Sequence, residues 1–173
     1  MRHPRILING ARYHVTARIN RKEMLLESSR VRELFLSTVR RAKRKYRFRL
    51  WNFCVMGNHV HFLIEPVEGE SLSSIMRWIL GVFAMAYNRK QGLTGHVWGE
   101  RFHSRILDGL REFVLAFGYI DDNPVRAGLV DHAHEWPHCG CAHYRGMKHE
   151  LLDDIPPWLP LLFPGIAAIS LPN

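Results

Sequence analysis

The chain has 173 residues, with 24 Lys+Arg against 16 Asp+Glu and a formal charge of +8. That length suits one domain with a single substantial core, and the positive excess favours a polyanionic partner through long-range attraction and counterion release. No uninterrupted apolar span approaches the roughly 20 residues needed to cross a bilayer, and the start lacks a signal-peptide core, so the expectation is a cytoplasmic protein making no membrane contact. Three cysteines in a reducing compartment predict no disulfide framework.

Tyr13-His14-Val15-Thr16-Ala17-Arg18-Ile19 alternates Tyr, Val, Ala and Ile with His, Thr and Arg, which predicts a strand over 12–19 with one buried face. From Ser29 to Tyr46, Val31, Leu34, Phe35, Val39 and Ala42 follow helical spacing. Between Arg30 and Arg49 stand nine basic side chains and one acidic one, Glu33, so this amphipathic helix has a positive outer face. Arg47 to Val55 and His59 to Glu65 are β-rich runs flanking Met56-Gly57-Asn58, a turn-forming triplet, and read as an antiparallel hairpin. Ser71 N-caps a second helix to Lys90, built on Leu72, Ile75, Met76, Ile79, Phe83, Ala86 and Tyr87. Trp78 and Tyr87 read as core or helix-sheet contacts rather than base-stacking residues.

Arg101 to Leu107 supplies a short fourth strand, and a third helix begins at about Arg111. The order β-α-β-β-α-β is that of a ferredoxin-like antiparallel sheet, an α+β fold, with an added C-terminal helix. On that helix Phe113, Val114, Phe117 and Ile120 form the apolar face, while Leu115, Tyr119 and Asn123 lie on another stripe. Pro124 disfavours helical geometry at Asn123 and predicts the helix end there. The domain expected is 1–146, followed by a proline-rich tail, 147–173, packing on the domain or on a partner. Cys54 reads as a strand residue packed inside. Cys139-Gly140-Cys141, between His138 and His143, offers zinc-type donors, but C-x-C lacks the usual structural-zinc spacing.

His59-Val60-His61 places two imidazoles on one face of the hairpin's second strand. By itself the pair suits either ordinary hydrogen bonding or a metal site. Downstream, Tyr119 and Asn123 are four residues apart, a spacing that stacks a nucleophilic hydroxyl and an amide ligand on one helical stripe. An amide at a helix end can equally hydrogen-bond the backbone.

With Tyr13-His14-Val15-Thr16, Met56-Gly57-Asn58-His59-Val60-His61, Gly95-His96-Val97-Trp98 with Arg101-Phe102, and the Tyr119 to Val130 block, residues from about Arg12 to Gly146 resemble the single-tyrosine transposases of the HUH nuclease superfamily, most closely the REP-associated tyrosine transposase branch. The resemblance implies that Tyr119 is the catalytic nucleophile, attacking single-stranded DNA beside a hairpin to give a 5′-phosphotyrosine and a free 3′-hydroxyl. It further implies that His59, His61 and Asn123 hold Mg²⁺ or Mn²⁺. Asn123 stands where other single-tyrosine branches have glutamine. Arg40, Arg41, Lys43, Arg44 and Lys45 are candidates for phosphate contacts, and Arg101 and Arg105 for an approach to the site. The resemblance also implies a nucleoid-associated protein and leaves homodimer and monomer both open. The alternatives are a non-catalytic nucleic-acid-binding module on the ferredoxin-like sheet and a metal-dependent phosphodiesterase using activated water.

Overall fold

The computed structural model describes residues 10–146 and 150–166. Six elements follow in chain order: β1 (Tyr13–Arg18), α1 (Ser29–Lys45), β2 (Phe48–Val55), β3 (His59–Pro66), α2 (Leu72–Gln91) and β4 (His103–Ile106). Their strands pair antiparallel in the order β2-β3-β1-β4, which is the ferredoxin-like sheet the alternating pattern predicts. α3 (Gly109–Arg126), α4 (Gly140–Arg145) and α5 (Leu159–Leu162) complete the set, with short 3-10 turns between them.

Side-chain alternation on β3 divides the structure into two sides. Val60, Phe62 and Ile64 point towards α1 and α2: Phe62 stacks on Phe35 of α1 at 5.9 Å between ring centroids, and Phe35 meets Phe83 of α2 edge-on at 5.2 Å. Both helices start on serine caps, Ser28 accepting from the Val31 amide and Ser71 from the Ser74 amide, each at 3.4 Å. Gly92, in the left-handed region at φ 65°, closes α2. Trp78 lies edge-on to Tyr46 and Tyr87 lies against Phe83, so both pack within this layer.

α3 covers the other side of the sheet with Phe113, Phe117 and Ile120 buried. A bulge at Trp51 interrupts the β2–β3 register between Leu50 and Asn52, and consequently two successive side chains of β2 reach α3. Trp51 meets Phe113 edge-on at 5.8 Å. Asn52 Nδ2 donates to the Phe117 carbonyl at 3.2 Å and to Asp121 Oδ1 at 3.0 Å. Asp121 is buried, and its carboxyl pKa is pushed up to about 7, chiefly by desolvation, with the Asn52 bond pulling it down and Asp122 pushing it up.

The helix end predicted at Asn123 is corrected by the structure. α3 runs on through Pro124 to Arg126 and stops at Gly128, at φ 66°. The Leu129 amide bonds the Pro124 carbonyl at 3.0 Å and the Gly128 amide bonds the Val125 carbonyl at 2.9 Å, the pattern of a Schellman cap. Proline costs a helix the bond its missing N–H would make; in the last turn that is one bond, offset here by burying Pro124 with Ile120.

The described tail packs on the domain. Asp153 accepts the Leu50 amide at 2.8 Å and pairs with Lys43, its carbonyl accepts the Tyr144 hydroxyl at 3.0 Å, and Phe163 lies 5.0 Å from Phe117. The remainder of the predicted tail, residues 147–149 and 167–173, lies outside the described residues.

A Cβ on Gly140 would fall 2.0 Å from Asn52 Oδ1, and Asn52 is held by its bonds to α3. Gly140→Ala is therefore expected to lower the unfolding free energy by about 1–3 kcal/mol, read as a reduced urea midpoint. An unchanged midpoint would mean that the Asn52–Asp121 joint yields freely.

Candidate active site

β1 and β3 are the central strands, and their register sets Thr16 opposite His61 and Arg18 opposite His59. On the face turned towards α3, His14, Thr16 and Arg18 therefore lie beside His59 and His61. His61 is 4% exposed. Its Nδ1 lies 2.9 Å from His14 Nε2 and 3.1 Å from Thr16 Oγ1. His59 Nδ1 lies 2.7 Å from Asn58 Oδ1. With Nδ1 of both rings engaged inside the protein, Nε2 is the nitrogen each would present to a cation, the arrangement usual for metal-bound histidine.

α3 brings Tyr119 to this pair. The Tyr119 ring is 5.6 Å from the rings of both His61 and His14, edge-on in each case, and the residue is 43% exposed on the rim of the groove. Arg126, two turns further along α3, places its guanidinium 5.6 Å from the Tyr119 ring centroid. Asn123 Nδ2 donates to the Tyr119 carbonyl at 2.7 Å, and its side chain also hydrogen-bonds His59. One amide thus bonds both its own helix and His59. His59 and His61 of β3 and Tyr119 and Asn123 of α3 come together from two segments of sequence.

The three imidazoles are held neutral. His61 is lowered to about 3, mainly by burial and then by His59, His14 and Arg18; His14 is lowered to about 4, mainly by burial and then by Arg105 and His103. Burial and Arg18 lower His59, with the bond to Asn123 working in the opposite direction. Neutral imidazole is the ligating form. Among the described residues no three His, Cys, Asp or Glu side chains gather as a metal site; a cation at His59 and His61 would have the Asn123 amide as the nearby oxygen donor. Two nitrogens and an amide oxygen fit a divalent ion while leaving positions for phosphate and water.

A groove of about 580 Å³ opens beside Tyr119, lined by His14, Thr16, His61, His103 and Arg105 among others. A second cavity of about 550 Å³ shares Thr16, Arg18 and His103 and continues past Arg21, Lys22 and Arg101. Arg101 and Arg105 therefore stand along this path, Arg105 paired with Glu112 at 2.9 Å. The α1 cluster lies elsewhere, because α1 packs on the opposite side of the sheet from Tyr119. Within it Arg40 pairs with Glu33 and Glu150, Lys43 with Asp153, Arg41 lies over Trp78 and Lys45 over Tyr46.

His14, Thr16, Arg18 and Arg126 escaped the sequence-based set of site residues. The alternation that marks β1 assigns its polar face to solvent, and only the β1–β3 register reveals that this face meets His61. Around the other cysteine cluster, Cys139 Sγ accepts from the Ala142 amide at 3.4 Å as the cap of α4, and burial pushes the Cys139 and Cys141 thiols up, away from the thiolate that zinc ligation requires.

Tyr119 of α3 thus stands against the histidine-bearing strand of a ferredoxin-like sheet. The family model for Transposase IS200 like proteins matches residues 8–123, and the chain belongs to that family of transposases. It is similar to the REP-associated tyrosine transposase of Escherichia coli K12, at 26% identity over 135 residues covering 77% of this chain and 78% of that one. Its fold matches the structure of a REP-associated tyrosine transposase bound to a REP hairpin, with a TM-score of 0.72 at 24% identity over 88% of each chain. No helix among the described residues is long and apolar enough to cross a membrane.

With a folded pKa of about 3 against 6.5 for the free group, His61 leaves the unfolded state binding more protons across that interval. Its contribution to stability is complete above pH 6.5 and is lost as pH falls, by about 2 kcal/mol between pH 6.5 and 5. Asp121, raised from 3.8 to about 7, acts with the opposite sign, its contribution present at low pH and lost as pH rises through 7. Urea unfolding at pH 7.5, 6 and 5 should therefore show a smaller loss of stability with acid in His61→Gln than in the wild type. Parallel profiles would mean that His61 accepts a proton without leaving its place.

Proposed function

We propose that this transposase nicks and rejoins single-stranded DNA beside a hairpin through a covalent 5′-phosphotyrosine at Tyr119, with Mg²⁺ or Mn²⁺ held by His59, His61 and Asn123. The observation carrying this reading is the approach of a rim-exposed tyrosine to buried, neutral imidazoles, 5.6 Å from His61 by ring centroids. The hairpin in the matched structure supports a hairpin-bearing substrate here. Residues 1–146 carry the activity in this reading, and the tail braces α3 from outside.

The phosphate of the strand enters the groove between Tyr119 and the cationic side chains of Arg18 and Arg105. Tyr119 Oη attacks phosphorus and yields its proton to water in the groove; the Oη–P bond forms as the P–O3′ bond breaks, and the 3′-oxygen leaves and takes up a proton from water. A divalent cation bound at the histidines would draw off the charge that builds on the non-bridging oxygens. Arg126 holds positive charge beside the phenol as its oxygen becomes an anion. A second 3′-hydroxyl reverses the sequence at the same phosphorus, conserving the bond energy without ATP. Because α3 reaches the histidines of its own chain, one subunit supplies every named residue, which supports a site assembled in cis.

Incubated with Mn²⁺ and hairpin-bearing single-stranded DNA, the wild type should give a product that stays protein-linked in denaturing gels. Tyr119→Phe and added chelator should each abolish it. An adduct formed by Tyr119→Phe would refute the nucleophile. Cleavage without a protein-linked product would instead indicate activated water, and chelator-insensitive binding without cleavage a recognition module.

A further inference from the structure

We propose that His14, together with Thr16, is a positioning residue for His61, fixing its ring as the Nδ1–H tautomer so that Nε2 is free to hold a cation. The inference rests on the metal-assisted reading above, and it follows from how protons must be distributed over the contacts of the His61 ring. A neutral imidazole carries one N–H. If Nε2 of His61 is to ligate, that hydrogen must sit on Nδ1 and must be donated, because a buried donor left unpaired is costly. The two atoms within reach of Nδ1 are His14 Nε2 at 2.9 Å and Thr16 Oγ1 at 3.1 Å, and both carry lone pairs that can accept.

The sheet makes this pairing obligatory. Thr16 is directly opposite His61 in the antiparallel register, and His14, two residues away on β1, is its diagonal neighbour on the same face. The His14 ring also stacks on His61 at 5.1 Å and 30°, so it limits rotation of the ligand ring as well as setting its tautomer. Asn58 Oδ1 serves His59 Nδ1 in the same way at 2.7 Å. His14 alone among these partners lies against the nucleophile too, 5.6 Å from the Tyr119 ring, and so places the metal ligand and Tyr119 against a common surface.

The test uses the full chain, ¹⁵N-labelled and metal-free, in long-range ¹H–¹⁵N spectra that distinguish histidine tautomers, followed by Mn²⁺ titration monitored by electron paramagnetic resonance. Wild-type His61 should be the Nδ1–H form. His14→Phe, which keeps a ring but removes the acceptor, should shift His61 towards Nε2–H and weaken Mn²⁺ binding about 10–100-fold, the range found when outer partners of metal ligands are removed. His14→Gln, whose Oε1 can reach the place of Nε2, should restore most of the affinity. Wild-type Mn²⁺ affinity and an unchanged His61 tautomer in His14→Phe would overturn the proposal, as would equal losses in His14→Phe and His14→Gln. If the wild type binds Mn²⁺ no better than His59→Ala/His61→Ala, the metal reading itself fails; the tautomer spectra then still report whether His14 sets the His61 proton.

Discussion

Pairing of β1 with β3 at the centre of the sheet is the constraint on which the site depends. In an antiparallel sheet a slip of one residue moves every side chain to the opposite face. Here a slip on β1 would send His14 and Thr16 into the layer filled by Phe35, Phe62 and Phe83, and would bring Tyr13 and Val15 against His61. The apolar side therefore fixes the polar side: burying Tyr13, Val15 and Ala17 keeps His14 and Thr16 on the face of His61, where the ladder sets Thr16 opposite it. The geometry of the candidate site is here a by-product of core packing on the other side of the sheet.

The second requirement is the placement of α3, since a tyrosine on a helix is only as well positioned as the helix. Apolar contact through Phe113, Phe117 and Ile120 is not directional enough to set translation along the sheet. The Asn52–Asp121 bond and the Asn52 bond to the Phe117 carbonyl are, and the bulge at Trp51 is what lets Asn52 make them. Phe163 from the tail closes over Phe117 and approaches the Gly118 position. Tyr119 is thus flanked in sequence by residues held on both sides, while its own ring stands in the groove.

Much of this was legible in the sequence because period and face are local properties. The alternation of β1, the same-face His59 and His61, and the i, i+4 pair Tyr119 and Asn123 each need only a strand or a helix to be recognised. Three things were not local. Pro124 reads as a stop, yet the true stop is Gly128, because the cost of proline depends on which turn it occupies and what it buries. The charges of α1 read as one patch, whereas Arg40 and Lys43 find partners more than a hundred residues away, in Glu150 and Asp153. The role of His14 exists only through the register with β3.

β4, at four residues, is the shortest strand and forms an edge of the sheet, joined through its ladder to β1 alone. It also supplies His103 and Arg105 to the wall of the groove. His59 and His61 stand on a strand hydrogen-bonded on both sides, whereas the β4 part of the groove wall is held by a four-residue ladder, the Leu107 amide bond to the Arg12 carbonyl and the Arg105–Glu112 pair. One side of the groove is therefore held by two ladders and the other by one, so a disturbance of β4 would reach His103 and Arg105 before His59 and His61.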